Sequence, residues 1–146
     1  MSESIQYLQW VSFFINNEIY AESIDDIREI IPYQPPIPVP GSPTEVDGIL
    51  NVRGEIVTTI SSRSLLGMPA KKPNEEWRII ILESDLGLIG LCVEGVGEIL
   101  SFAEKHIEIA ANQDCIKGTI QLNEQLVIVM NTLSKVRSLS LDLAEP

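Results

Sequence analysis

Polar and apolar residues alternate over most of this chain, in runs of five to nine broken by turn residues. That period of two is the mark of half-buried β-strands. Tyr7 to Ile15 reads as a first strand, Asn16-Asn17 as a turn, and Ile19 to Ala21 as the start of the return. Ser23 can cap a helical turn over Ile24-Asp25-Asp26, and Ile27 to Ile31 alternates again as a third strand. Pro32 to Pro43 is a stiff, extended loop, because its prolines fix φ and cannot donate to a ladder. Val46 to Val52 and Glu55 to Ile60 form a hairpin around Arg53-Gly54, where Gly54 tolerates positive φ.

Ser61 to Met68 fits one or two helical turns with Leu65 and Leu66 buried, stopped by Gly67 and Pro69. Ala70 to Glu76 is a polar connector. Strands are then predicted at Trp77 to Glu83, Leu86 to Val93, Val96 to Phe102, Cys115 to Leu122 and Gln125 to Met130, with turns at Ser84-Asp85 and Asn123-Glu124. Ala103 to Gln113 is a polar excursion, Asn131 to Ser138 a short helix, and Ser140 to Pro146 a frayed end.

The second half repeats the first. Ile24-x-x-Ile27-x-Glu29-Ile30-Ile31 matches Val93-x-x-Val96-x-Glu98-Ile99-Leu100, and Gly48-Ile-Leu-Asn-Val matches Gly118-Thr-Ile-Gln-Leu. Ile56-Val57 matches Leu126-Val127, all three at an offset of roughly 70 residues. Each half is then a small, mostly antiparallel β unit that hides its apolar face only against the other. The expected limits are 16–84 and 85–130, with 7–15 and 131–138 packing across, in one domain over 1–146. Closing each unit into a barrel would also remove exposed strand edges.

Composition narrows the function. The chain has 146 residues, is 45% hydrophobic and carries a net charge of −11. Such an acidic globular protein is a poor partner for nucleic acid or an anionic membrane surface. No apolar run reaches bilayer length, and Met1 to Gln6 lacks the basic and apolar segments of a signal peptide. Cys92 and Cys115 lack Cys-x-x-Cys spacing and read as two reduced thiols. The single histidine, His106, falls in the polar excursion, with no nucleophile elbow, phosphate loop or zinc spacing elsewhere. Asp85, Glu94, Glu98 and Glu104 read as a solvated surface rather than an acid/base pair. An enzyme or small-molecule binder would need a polar pocket that these motifs do not announce. Pro35-Pro36-Ile37-Pro38 could serve as a proline-motif ligand, but strands bound the loop on both sides, so a stiff connector is the preferred reading.

Two charged residues stand out. Glu29 on the third strand can orient Arg53 at the hairpin tip through a charge-assisted bond. An oriented arginine on a rigid hairpin suits a protein-binding surface.

Val39-Pro-Gly-Ser-Pro43, Gly48-Ile-Leu-Asn-Val-Arg-Gly-Glu-Ile-Val57 and Leu91-Cys-Val-Glu-Gly-Val-Gly-Glu-Ile-Leu100 resemble the CheW family of chemotaxis coupling proteins, in order from Tyr7 to about Val136. The resemblance implies a mainly β fold of two small five-stranded SH3-like β-barrels sharing a hydrophobic core, with short helices. It implies a non-catalytic, cofactor-free, cytoplasmic adaptor. Such an adaptor links chemoreceptor tips to the regulatory domain of the histidine kinase CheA in arrays at the inner membrane, and is monomeric alone. No kinase or receiver domain is expected beside it, unlike CheA or CheV. Arg53 and Glu29 match the family's hairpin arginine and strand glutamate, within a block that includes Asn51 and Gly54. The resemblance places the receptor in a groove between the barrels, with Ile27, Ile49, Ile56, Val93, Val96 and Ile99 as candidates. For each of the six, ordinary core burial is the alternative. The family's usual Val-Pro-x-x-Asp-Leu-Arg is here Val57-Thr58-Thr59-Ile60-Ser61-Ser62-Arg63. Ser61 can still cap a helix, but the missing aspartate and leucine leave open a divergent scaffold for another chemosensory system, such as pili or second-messenger control.

Overall fold

The structure, a computed structural model, describes residues 5–110 and 115–144, with side chains through Leu139. The first four residues and the end of the polar excursion, including Gln113, lie outside the described residues, as do the last two. The strands are β1 (Tyr7–Ile15), β2 (Glu18–Ser23), β3 (Ile27–Pro32), β4 (Val46–Val52), β5 (Glu55–Ser61), β6 (Arg78–Ser84), β7 (Gly87–Val93), β8 (Gly95–Ala103), β9 (Glu108–Ile109), β10 (Ile116–Leu122) and β11 (Gln125–Met130). The helices are α1 (Ser62–Leu65) and α2 (Thr132–Ala144), with single 3-10 turns at Ile24–Asp26 and Glu104–His106.

The duplication is visible in the sheet order. One sheet runs β3-β6-β7-β5-β4, the other β8-β1-β2-β11-β10-β9. Position by position, β3 plays the part of β8, β6 of β1, β7 of β2, β5 of β11 and β4 of β10. Each sheet has one parallel pair, β5 with β7 and β11 with β2. The matching hairpins carry matching bulges, between Val46 and Gly48 and between Ile116 and Gly118.

This pairing corrects the expected subdomain limits. Strands β1 and β2 complete the second barrel, because β2 lies parallel to β11. Strand β7 belongs to the first barrel, against β5. Barrel 1 is therefore continuous from β3 to β7, and barrel 2 joins the two ends of the chain. The chain crosses between them at Ile24–Asp26 and at Glu94.

The turns explain the hairpins. Asn16 and Asn17 have φ of 54° and 64°, Arg53 and Gly54 50° and 84°, and Asn123 and Glu124 47° and 68°. Two consecutive residues of positive φ make the turn whose twist matches the flanking strands. Glycine is needed most at Gly48, where φ is 153° and an added Cβ would lie 2.2 Å from the Ile37 carbonyl oxygen. There the proline-rich loop pairs with β4, through Ile37 N–H to Ile49 O and Ile49 N–H to Ile37 O, both 2.9 Å. The stiff, extended loop expected here is thus also tied to β4. At Gly118 the same close approach is made by Glu108, within the polar excursion, where β9 pairs with β10.

A core shared by both barrels contains Phe13, Ile15 and Tyr20 from one side, Ile60, Ile80, Leu82 and Leu91 from the other, and Leu133 and Val136 from α2. Ser61 caps α1 by accepting from Ser64 N–H at 3.1 Å. Leu65 and Leu66 are half-buried against the shared core rather than buried, since α1 lasts only one turn. Helix α2 continues to Ala144 where fraying was expected, because no glycine or proline interrupts it before Pro146. No helix among the described residues is long and apolar enough to cross a membrane.

Candidate functional sites at the barrel ends and the seam

At the tip of the β4–β5 hairpin, Arg53 forms an ion pair with Glu29 of β3. Asn51 Oδ1 accepts from Gly54 N–H at 2.9 Å and braces the turn. Arg53 takes a left-handed backbone despite its side chain, a conformation common in glycine and asparagine and rare elsewhere. The hydrogen bond from Arg53 to Glu29 raises the guanidinium pKa further above its ordinary value. Beside them Arg28 bonds Glu55 at 3.2 Å and lies 4.0 Å from Glu83. Exposed pairs of this kind add little stability singly, so the web chiefly orients the tip. Ile56, 55% exposed, stands next to it.

The equivalent end of barrel 2 is built differently. Glu98 replaces Glu29 in kind, but Asn123 stands for Arg53, Gly97 for Arg28, Gln125 for Glu55 and Phe14 for Glu83. The charged web is gone. In its place is a mainly apolar cleft of about 440 Å³, lined by Phe14, Ile19, Ile99, Leu122 and Val127, with Glu98, Asn123 and Gln125 also in its wall. A Cβ at Gly97 would press on Ser12 Oγ at 2.6 Å and on the Phe14 ring at 3.1 Å, so glycine there leaves the ring its place. Ile99 is 56% and Leu126 53% exposed on this end. Phe14, Gly97 and Leu126 were not among the site residues expected from the sequence, although Leu126 was already matched to Ile56; reading the roughly 70-residue repeat across to the whole Arg53 tip would have found them.

The six groove candidates do not gather in one place. Val93 is fully buried in the shared core, which corrects its reading as a groove residue: its side chain points inward from the end of β7. Ile27 is half-buried against the same core. Val96 lines a polar cleft of about 560 Å³ with Phe14, Lys71 and Trp77, whereas Ile99 lines the apolar one. Ile49 and Ile56 belong to the barrel 1 hairpin.

Glu94 is a second correction. Rather than being a solvated acid, it has a side chain 9% exposed at the crossing between barrels. It accepts from Arg63 Nη1 at 2.7 Å and from Asn16 N–H at 3.1 Å, with Lys71 Nζ at 3.7 Å. Burial alone would raise its pKa, but the bonds from Arg63 and Asn16 and the charges of Arg63 and Lys71 outweigh this and lower it. One carboxylate thus ties α1, the connector and the β1–β2 turn together. Cys92 and Cys115 are both buried, and neither is in a disulfide. His106 is exposed, edge-on to Tyr7 at 6.4 Å.

These features describe a two-barrel domain, with a charge-paired hairpin at one end and a mainly apolar cleft at the other. The chain belongs to the family of CheW-like domains, whose profile matches residues 9–139. It is similar to the chemotaxis protein CheW of Bacillus subtilis, 29% identical over 126 residues that cover 86% of this chain and 80% of that protein. The CheW of Rhizobium meliloti is 29% identical over 98 residues, 67% of this chain, and the alignment spans 63% of that relative. Among solved structures, the scaffolding protein TtCheW from Thermoanaerobacter tengcongensis superposes with a TM-score of 0.79 at 25% identity, over 86% of this chain and 89% of that one. The fold is accordingly that of a chemotaxis scaffold, mainly β and built as two SH3-like barrels.

Proposed function

We propose that this chain is a non-catalytic adaptor that couples chemoreceptor tips to the regulatory domain of the kinase CheA in a signalling array. The observation that carries this is the differentiation of two pseudo-equivalent barrel ends. An adaptor needs at least two faces that do not compete, and here one end is charged and the other apolar. Arg53, oriented by Glu29, is the anchor of the first face, with Asn51 and Gly54 setting the turn and Ile56 beside it. Ile99 belongs to the second face, and Ile27 and Val96 flank the seam against which a receptor helix would lie. No nucleic acid, cofactor or membrane insertion enters this reading. The adaptor works in the cytoplasm, monomeric when isolated.

Calorimetric titration against the CheA regulatory domain from the same cell tests it. Saturable binding is expected, weakened about tenfold or more by Arg53→Ala, as for an interface anchor. Ile99→Asp should leave the Arg53 face intact and impair whichever partner uses the apolar end. Both variants should melt within about 2 °C of the wild type, since both side chains are exposed. A folded wild type that binds neither CheA nor a receptor tip, but retains another kinase, would mean a scaffold of a different chemosensory system. The Thr58, Ser61 and Ser62 replacements beside the hairpin favour that second reading.

A further inference from the structure

Glu22 occupies the place in barrel 2 that Leu91 fills in barrel 1, and both are almost wholly buried, at 1% and 0% exposed. A carboxyl group sits where the repeat otherwise puts a leucine. Its hydrogen-bond partners among the described residues belong to one residue, Thr132, the first of α2. Thr132 Oγ1 lies 2.5 Å from Glu22 Oε1, and Thr132 N–H reaches Oε2 at 3.4 Å. Thr132 is itself fully buried, and Leu133 beside it and Val136 one turn on enter the shared core.

Among the described residues, no cation pairs with Glu22. Strands β1 and β11, which flank β2, carry no charged residue. On β2 itself, Glu18 is exposed, and the adjacent 3-10 turn contributes only Asp25 and Asp26. Of the described side chains on α2, Lys135 and Arg137 are charged, and Arg137 reaches Asp85 at 3.5 Å. Lys117 on β10 pairs with Glu104 at 2.9 Å. An ionised carboxylate without a countercharge is costly in an apolar interior, so the neutral acid is the form that fits.

We propose that Glu22 and Thr132 form a proton-controlled latch on the C-terminal helix. While the carboxyl is protonated, the first turn of α2 stays docked on barrel 2 and closes the shared core. Ionisation loosens that turn. Burial pushes the Glu22 pKa up to about 8, against the lowering effect of the two Thr132 bonds and with a further rise from Asp26. In the undocked state the group would ionise near its ordinary 4.5. Docking is therefore strongest below that value, weakens as pH rises, and reaches its floor once pH passes the folded value.

Hydrogen exchange of the α2 amides in the full chain, corrected for intrinsic rates, tests the latch between pH 6 and 9. Protection of the first α2 turn is expected to fall by up to about tenfold per pH unit, levelling near pH 8, while the barrel strands keep theirs. Glu22→Gln should flatten the profile. Thr132→Val, which removes a bond that favours the ionised form, should move the midpoint upward, and it carries the test if Glu22→Gln does not fold. A flat wild-type profile would overturn the proposal. So would an unchanged slope in Glu22→Gln, or equal loss of protection in the barrel strands.

Discussion

Replacing Arg63 by alanine is expected to destabilise the protein by about 2–4 kcal/mol, far more than loss of an ordinary surface ion pair. The reason is where the pair sits. The Arg63 and Glu94 side chains are 12% and 9% exposed, so the variant leaves a carboxylate buried with its main partner gone. Lys71, half-exposed and 3.7 Å away, replaces it poorly, and the Asn16 N–H supplies only one bond. Urea unfolding measures the loss. The pH profile identifies its source. Glu94 has a lowered pKa in the folded protein, so its contribution is fully present above the ordinary 4.5 and is lost as pH falls through the folded value. The gap between wild type and Arg63→Ala should therefore be constant from pH 5 to 7 and narrow in acid. A gap below about 1 kcal/mol at neutral pH would show that the pair is solvated and the bridge between α1 and the β1–β2 turn is ornamental.

Gly48→Ala should cost at least about 3 kcal/mol, although it adds a single methyl group. The new Cβ would lie 2.2 Å from the Ile37 carbonyl oxygen and 2.6 Å from its carbon, both backbone atoms that cannot rotate away. Its φ of 153° is also strained for any residue with a side chain. The proline-rich loop must then leave β4, breaking both Ile37–Ile49 hydrogen bonds. Chemical denaturation gives the size of the effect, and exchange of the Ile37 and Ile49 amides shows whether the loop detaches. Gly41→Ala is the control, since no atom beyond its immediate chain neighbours comes within 4 Å of a Cβ there, although its φ of 81° carries its own strain. Equal effects at both positions would mean that backbone strain alone, and not the crossing at Gly48, sets the cost.

Both positions bear on the adaptor reading. The Glu94 bridge fixes the crossing beside Val96, and the Gly48 crossing fixes the strand that presents Arg53. Neither residue need touch a partner to change how one is met.

The local elements were legible because they depend on neighbours in the chain. Alternation, paired turn residues and prolines set the strands, hairpins and stiff loop within a few residues. The repeat was legible because one pattern occurs twice at nearly one spacing. Even the Arg53–Glu29 pair followed from placing a hairpin tip against a strand. What the sequence left open was every choice between equivalent partners. Both halves offer similar edges, so nothing local says that β2 lies beside β11 and β7 beside β5, and the expected limits at 84 and 85 fell in the wrong place. Val93 and Ile99 look alike as apolar strand residues, yet one is wholly buried and the other 56% exposed, because burial depends on which face the other barrel covers. Arg63 and Glu94 are 31 residues apart, and Glu22 and Thr132 are 110. An acid reads as a surface residue until its distant partner is known. The sequence thus determined the elements, their duplication and the family. Only the tertiary structure decided which polar groups leave water, since that depends on what the rest of the chain brings to meet them.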